Sequence, residues 1–331
     1  MGALMTRRQQ DVFITRRGAV AFGAAALAAM GLTGGALGAE RRRVLHVDSY
    51  HQGNEWNDRI AAAVTTTLED ADVEVRVFHM DTKRRDSEAD KQAAGERAAA
   101  LIAEYQPHVV TTSDDNAVKY LIMPHFRDAD LPFVFCGVNW DASVYGLPYA
   151  NTTGMVEVSP IPQILRLLER HAAGERIGYL AEDTPTKHKE KAHHEKLFGV
   201  TYDKAYFVSD FQGWTDAFRT AQGEVDVLLL LGVGALTDWD DARAREIAET
   251  ETRIPTGTDF AWLMPYALLG VGKRPEEQGI WAARAALRIL DGVEPTSIPV
   301  THNTDGELLF NPRVAETLGV SDPPALARLV E

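Results

Sequence analysis

From residue 43 onwards, short β-branched runs alternate with amphipathic helical segments, and this alternation occurs in two successive sets. The first set of strand-like runs lies at 44–48, 73–78, 108–112 and 133–138, with helices beginning near Asn54, Ser87 and Asp115. The second set lies at 176–180, 204–208, 225–232 and 254–258, with helices at 185–197, 211–222 and 238–250. Strands that alternate with helices form mostly parallel sheets. The sequence therefore predicts an α/β protein with two successive lobes.

Extended segments connect the two sets. Residues 152–162 contain two prolines and suit a crossover, while 262–273 and 298–310 can carry the chain back. We therefore expect lobe 1, together with the hinge returns, to comprise residues 40–154 and about 263–331, and lobe 2 to comprise residues 155–262. Several crossovers between the same two lobes would form a hinge.

The first 39 residues have the pattern of a signal peptide. Arginines at 7, 8, 16 and 17 precede an Ala/Gly-rich apolar run at 19–32, and small residues up to Ala39 suit a peptidase. The segment 15–20 resembles the twin-arginine export motif. The alternative is a helix that keeps the chain attached to the membrane. Because no cysteine follows the apolar run, we expect no lipid anchor and a soluble periplasmic protein.

Composition narrows the possible partners. The formal charge of −14 is spread along the chain, whereas nucleic-acid binding requires a basic surface, so we expect no nucleic-acid partner. The single cysteine, Cys136, cannot form an internal disulfide, and its place in an apolar run predicts a small buried residue.

Candidate binding residues lie in the loops that follow the predicted strands, where parallel α/β sheets bind their ligands. These residues are Ser49, Tyr50, His51, Trp56, Ser113, Asp114, Asp115, Asn116, Asn139, Trp140, Asp183, Thr184, Gly232, Asp259 and Trp262. Their hydroxyl groups and helix amides suit a carboxylate, their carboxylates suit an ammonium group, and their aromatic rings suit stacking. An amino acid or a related amine fits this set of groups. Quaternary amines, small heterocycles and sugars are alternatives that the same groups allow.

Catalytic and metal sites find weaker support in the sequence. The adjacent Asp114 and Asp115 suit helix capping or ligand contact, with paired-carboxylate catalysis as the remaining alternative. His188, His193 and His194 lie among lysines and glutamates, which predicts a solvated helix face and no metal site. The short Gly-Val-Gly segments at 232–234 and 270–272 lack the spacing of a phosphate loop. We therefore expect no catalytic residues, no metal and no cofactor.

Several segments together resemble the periplasmic solute-binding component of ABC transporters, in the group related to tryptophan- and tyrosine-binding transporter proteins. They are residues 49–51 with Trp56, 114–117, 133–140, 278–283 and 289–292. The resemblance covers essentially the whole chain after the signal peptide. It implies two Rossmann-like lobes of the type I periplasmic binding fold, a three-segment hinge, and a ligand enclosed between the lobes. Some members of the group are lipoproteins, whereas this chain lacks the required cysteine.

The resemblance also implies partners. We expect a monomer that captures a small-molecule solute and delivers it to an ABC permease. Relatives also occur as sensor domains, so a ligand-presenting partner of a membrane sensor kinase is an alternative. An exported α/β enzyme is a third possibility, which a buried acid and base in hydrogen-bond contact within the cleft would support.

Overall fold

The structure is a computed structural model that describes residues 41–330. The predicted signal peptide lies outside the described residues. Within the described part, no helix combines the length and apolar character needed to cross a membrane.

Thirteen strands of the described chain form two sheets. The first sheet has the order β11-β5-β4-β3-β1-β2, and all of its neighbouring strands are parallel. Its strands are β1 Arg43–Asp48, β2 Glu74–His79, β3 Val109–Ser113, β4 Phe133–Asn139, β5 Thr152–Glu157 and β11 Thr301–His302. These strands confirm the first predicted set within about one residue at most ends.

The second sheet has the order β13-β12-β10-β9-β8-β6-β7, and only the β10–β12 pair is antiparallel. Its strands are β6 Ile177–Glu182, β7 Lys204–Val208, β8 Val227–Leu230, β9 Thr256–Thr258, β10 Leu269–Lys273, β12 Gly306–Phe310 and β13 Arg328–Leu329. The first four of these strands are those of the second predicted set. The α/β fold with two parallel-sheet lobes is therefore confirmed.

Helices cover the faces of both sheets. The α-helices are α1 Glu55–Glu69, α2 Glu88–Tyr105, α3 Asp114–Ala117, α4 Ile161–Leu168, α5 Pro185–Phe198, α6 Phe211–Glu224, α7 Asp241–Glu251, α8 Pro275–Leu290 and α9 Pro312–Leu318. Wider, π-type turns at Val118–Phe126 extend α3, and short 3₁₀ turns lie at Ala142–Tyr145, Ala261–Tyr266 and Pro295–Ser297.

The chain crosses between the lobes three times: from β5 to α4, from β10 to α8, and from β11 to β12. Asn303 ties two of these crossovers together, because its Oδ1 accepts from the Val158 amide at 2.7 Å and its Nδ2 donates to the Val158 carbonyl at 3.0 Å. The expected multi-segment hinge is present.

The expected lobe boundaries need a correction at the C-terminal side. Residues 263–273 and 306–330 were assigned to lobe 1, but β10, β12 and β13 belong to the lobe 2 sheet. Within the described chain, the segment from α8 through the 3₁₀ turn at Pro295–Ser297 to β11 returns to lobe 1, which also keeps β5 as far as Glu157. The reason is pairing at a distance: β12 lies antiparallel to β10, and local sequence patterns carry no information about a partner strand.

Strand β4 shows how the lobe 1 core is built. Phe133 and Phe135 point into one hydrophobic cluster, and Val134 and Cys136 point into another on the opposite face. This period of two is that of a strand buried on both faces. The expectation that Cys136 is a buried residue is confirmed.

Helices α1 and α8 pack closely at a glycine. A methyl group on Gly279 would collide with the Ile60 carbonyl oxygen of α1 and lie 2.8 Å from the Ala63 Cβ. Backbone atoms in a packed helix pair cannot move away cheaply.

We expect Gly279→Ala to lower the free energy of unfolding by about 1–3 kcal/mol, because overpacking outweighs the gain in helix propensity. Gly223→Ala in α6 is the matched control, since a Cβ there meets no atom within 4 Å. That variant should be more stable by roughly 0.5–1 kcal/mol. Urea unfolding followed by circular dichroism measures both, and equal effects of the two substitutions would contradict the packing argument.

Candidate functional site

A cleft of about 420 Å³ lies between the lobes, where the carboxyl ends of strands from both sheets meet. Parallel α/β sheets place their ligand sites at these ends. The lining residues are Tyr50, Asn54, Trp56, Asn57, Lys83, Asp114, Asn139, Glu157, Asp259, Phe260, Ala261, Gly272 and Lys273.

Asp48 organises the lobe 1 wall from behind. This carboxylate at the end of β1 is fully buried. It accepts hydrogen bonds from the Tyr50 amide at 3.1 Å, Ser113 Oγ at 3.1 Å and His79 Nδ1 at 2.8 Å, and also from the Asn57 side chain. Charge-assisted bonds of this kind are stronger than neutral ones. The β1–α1 loop and the start of α1 are thereby held so that Tyr50 and Asn57 face the cleft.

Asp114 is a carboxylate at the start of α3 that lines the cleft on the lobe 1 side. It follows β3 directly, has a left-handed φ of +72°, and is 5% exposed. The Tyr50 hydroxyl donates to its Oδ1 at 3.1 Å. Burial, together with the neighbouring carboxylates Glu157 and Asp115, raises the pKa of Asp114 to about 8. A non-glycine residue in a strained left-handed conformation at a site is typical of functional positions.

The hinge and lobe 2 contribute a buried ion pair and a second carboxylate. Lys273 Nζ lies 2.6 Å from Glu157 Oε1. Burial lowers the pKa of Lys273, but the carboxylates of Glu157 and Asp259 outweigh this effect and hold it above its ordinary value. Ser159 Oγ donates to Asp259 Oδ2 at 2.5 Å, while Asp259 Oδ1 is buried without a hydrogen-bond partner among the described residues.

Two of the three aromatic rings in the cleft lie beneath lysines that also line it. Lys83 Nζ is 4.8 Å from the Tyr50 ring centre, and Lys273 Nζ is 5.7 Å from that of Trp56. The third ring, Phe260, has Lys187 at 4.7 Å. Aromatic faces attract cations, so the cleft combines stacking surfaces with groups of both charges. Such a site suits a small zwitterion or amine with an apolar portion.

The structure brings five of the predicted site residues to the cleft: Tyr50, Trp56, Asp114, Asn139 and Asp259. Their contact with a ligand remains a prediction.

Two predicted serines lie behind the cleft wall. Ser49 Oγ donates to the Ser113 carbonyl at 2.5 Å and accepts from the Ala117 amide at 2.8 Å. Ser113 Oγ is bonded to Asp48. Both side chains are fully buried.

Three further predicted residues of lobe 1 point away from the cleft. Asp115 accepts from Asn139 at 2.6 Å and from the Tyr145 hydroxyl at 2.9 Å. Asn116 donates to Thr82 Oγ1 at 2.9 Å. His51 lies 3.8 Å from the Asp81 carboxylate. Asp114 and Asp115 therefore face different ways, as expected for adjacent residues at a helix start.

Four predicted residues of lobe 2 lie outside the cleft lining. Asp183 pairs with His188 at 2.8 Å, and Thr184 caps the start of α5. At Gly232, a Cβ would collide with the Glu182 carboxylate. Trp262 is 52% exposed, and its ring centre lies 5.8 Å from that of Phe260.

The positions of Trp140 and of His194 in α5 differ from the sequence-based predictions. We expected Trp140 to stack on a ligand, but its ring stacks on His193 of lobe 2 with centres 5.7 Å apart and an angle of 9°. His194 was assigned to a solvated helix face, yet it is fully buried and lies 2.8 Å from the Tyr202 hydroxyl. Helix α5 presents few aliphatic side chains, so its inner face packs through polar and ring atoms.

The residues that sequence reasoning missed are Asn54, Asn57, Lys83, Glu157, Phe260, Ala261, Gly272 and Lys273. Two of them carried a usable signal. Glu157 lies within the first predicted crossover, and Lys273 ends the second extended segment. The crossovers run past the cleft between the lobes, so charged residues on them lie next to it. Their position on the predicted crossovers could therefore have identified Glu157 and Lys273.

Within residues 41–330, no group of three or more His, Cys, Asp or Glu side chains is arranged to hold a metal ion.

Comparisons with solved structures identify the fold. The ligand-free, open structure of a substrate-binding protein with adhesive properties from Clostridium difficile superposes with a TM-score of 0.66 at 15% identity, covering 88% of this chain and 99% of that one. An ABC domain in complex with L-Trp from Streptococcus pneumoniae gives 0.51 at 16% identity, covering 88% and 100%. A conserved domain protein from Vibrio cholerae gives 0.52 at 18% identity, with the same coverage.

No protein-family model matches the sequence, and no curated protein matches it. At these identities the structural likeness establishes the architecture, which is the type I periplasmic binding fold of two α/β lobes around a cleft. The predicted tryptophan- and tyrosine-binding group is a finer assignment that remains a prediction.

The raised pKa of Asp114 predicts that the free energy of unfolding depends on pH. Because the native carboxyl group holds its proton up to about pH 8 and the unfolded one only to about pH 4, the native state binds more protons in this window. The free energy of unfolding therefore falls as the pH rises from 4 to 8. We expect Asp114→Asn to remove this loss, raising Tm by several degrees at pH 8 with little change near pH 4.

Differential scanning calorimetry across this pH range measures the effect. Asp183→Asn is the control, because that carboxylate is about half exposed and lies away from the cleft. A pH dependence that is identical in wild type and Asp114→Asn would contradict the assignment.

Proposed function

We propose that this protein is an extracytoplasmic solute-binding protein that captures a small amino acid or related amine in the inter-lobe cleft and delivers it to an ABC permease. The observation that carries the proposal is a cleft lined from both lobes and the hinge by aromatic rings and carboxylates. A ligand that contacts both lobes stabilises the closed arrangement, which a partner can then recognise.

The solved structures support the same class. One of them is described as a substrate-binding protein and another as an ABC domain in complex with L-Trp. The amino-acid ligand of this chain rests on its own cleft chemistry, in which Asp114 and Asp259 suit an ammonium group and Trp56 suits an apolar side chain.

We propose binding without catalysis. Asp114 is a buried carboxyl group with a raised pKa in the cleft, which is one half of the pattern expected of an enzyme. Its hydrogen-bond partner is the Tyr50 hydroxyl. Burial and the neighbouring Asp114 also raise the pKa of that hydroxyl, so the partner is a still weaker acid and is not the complementary base of a catalytic pair. Cys136 is fully buried and burial raises its thiol pKa, which removes it as a nucleophile.

A ligand-presenting role beside a membrane sensor kinase is the alternative use of the same cleft. Both roles require capture and closure. They differ in the partner that binds the closed form.

Ligand capture is tested with a thermal-shift screen of the protein without residues 1–39 against amino acids, amines, sugars and nucleobases. A ligand at a hundred times its Kd should stabilise the protein by about 2.7 kcal/mol. Small-angle X-ray scattering with each hit should show compaction. Stabilising ligands that leave the scattering profile unchanged would contradict closure of the lobes, and a screen without any hit would contradict the proposed function.

The position of the ligand is tested with two tryptophans. Trp56→Ala should weaken binding of the strongest hit about tenfold, because a stacking surface is lost. Trp262→Ala is the matched control, since that side chain lies outside the cleft lining and is half exposed. Equal losses in both variants would place the ligand elsewhere.

Export is tested by replacing the two arginines of the twin-arginine-like segment. Arg16→Lys with Arg17→Lys should retain the precursor in the cytoplasm, because we propose that the export machinery reads this pair. Arg7→Lys with Arg8→Lys, which makes the same chemical change outside the segment, should leave export intact. Cell fractionation followed by immunoblotting distinguishes the two, and equal export of both variants would contradict the route.

A further inference from the structure

Three structural elements each contribute one carboxylate to the cleft. These carboxylates differ in whether a cation or a hydrogen-bond donor lies beside them. Glu157 at the end of β5 pairs directly with Lys273. Asp259 after β9 is bonded through one oxygen to Ser159, and its Oδ1 is buried without a hydrogen-bond partner in the described chain. Asp114 after β3 forms no ion pair with a lysine or arginine among residues 41–330. The cleft therefore has acceptors in excess of its own cations.

The surroundings of Asp114 make a negative charge on its side chain unfavourable. The groups that face it are the Tyr50 hydroxyl from the β1–α1 loop, Asn57 from α1, Asp115 from its own helix, Cys136 from β4 and Glu157 from β5. Two of these are carboxylates and none is a cation. Burying an unpaired carboxylate beside like charges is unfavourable, and a group in this position takes up a proton to avoid the unfavourable charge.

The two lysines that line the cleft contact other groups and not Asp114. Lys273 is held by Glu157 at 2.6 Å and attracted by Asp259. Lys83 lies over the Tyr50 ring at 4.8 Å and is exposed to solvent. Neither lysine forms an ion pair with Asp114, so a cation for this carboxylate has to come with the ligand.

We propose that the empty cleft holds Asp114 in its protonated form, and that the ammonium group of an amine or amino-acid ligand takes the place of this proton when it binds. This inference rests on the proposed function and deepens it, since it names Asp114 as the residue that selects ligands carrying an ammonium group. The released proton passes to solvent, and an N–H⁺···O⁻ contact replaces the carboxyl O–H. No covalent bond to the ligand forms or breaks.

Proton release sets a direction for the pH dependence. An aliphatic ammonium group stays charged up to about pH 9–10, as the lysine side chain does. Below the native pKa of Asp114, each unit of falling pH makes its proton tenfold harder to displace. The association constant for an amine should therefore rise about tenfold per pH unit from pH 6 towards pH 8 and then level off. A ligand without an ammonium group should show no such rise.

The experiment is isothermal titration calorimetry on the protein without residues 1–39. The probes are amino acids that stabilise the protein in the screen, their decarboxylated amines and their deaminated acids, for example L-tryptophan, tryptamine and indole-3-propionate. Titrations at pH 6.5 in phosphate and in imidazole buffer, which differ in ionisation enthalpy, give the number of protons released. We expect about one proton released for the amines and amino acids.

Variants identify the source of the proton. Asp114→Asn should abolish proton release and the rise of affinity with pH, and should weaken amine binding by more than tenfold. Asp183→Asn removes an exposed carboxylate outside the cleft lining and should leave both unchanged. Circular dichroism and the Tm of each variant confirm that it is folded.

The outcomes separate this inference from the proposed function. Amine binding without proton release, or with equal release in Asp114→Asn, overturns the inference and leaves solute capture standing. Tight binding of deaminated acids or sugars, with no binding of amines, also overturns the inference and leaves solute capture standing. If no solute of the wider screen binds, the proposed function fails and the inference fails with it.

Discussion

The buried ion pair between Lys273 and Glu157 is the interaction on which the arrangement of the lobes and the cleft depends. Glu157 ends the last strand of lobe 1 before the first crossover, and Lys273 ends β10 before the chain returns. A charge that is largely removed from water is stabilised by a partner, so separating the two partly buried side chains would cost free energy. The pair therefore fixes the floor of the cleft, on which the walls of both lobes converge.

The lobe 1 wall concentrates costly features in a small volume. Asp114 combines a left-handed backbone with a buried carboxyl group, and Asp48 behind it is a fully buried acceptor of four hydrogen bonds. The hydrogen bonds to Asp48 offset the strain at Asp114, because they hold in place the backbone that would otherwise relax. Strain that persists because its surroundings are rigid is a property of sites that are prepared for a ligand before it arrives.

Local patterns predicted most of the fold but only part of the site. Alternating β-branched runs located eight strands, since a strand buried on both faces reads as a short apolar run. Trp56 and Asp114 were found because loops after parallel strands converge. Trp140 was misinterpreted because an aromatic ring and an imidazole that meet across two lobes leave no periodic signal. His194 was misinterpreted because the Tyr202 hydroxyl beside it lies on the segment after α5, outside the helical pattern. The return of β10 and β12 to lobe 2 was missed for the same reason, since strand pairing over tens of residues is invisible locally.

By itself, the sequence determined the fold class, the two successive sets of strands and helices, and the crossovers between them, because hydrophobic periodicity and turn residues are local properties. Only the tertiary structure decided which groups meet. It joined Lys273 to Glu157 across 116 positions and Tyr50 to Asp114 across 64, and it turned Trp140 away from the cleft towards His193. Distance, burial and the balance of charge arise from packing, and these quantities set the protonation of Asp114.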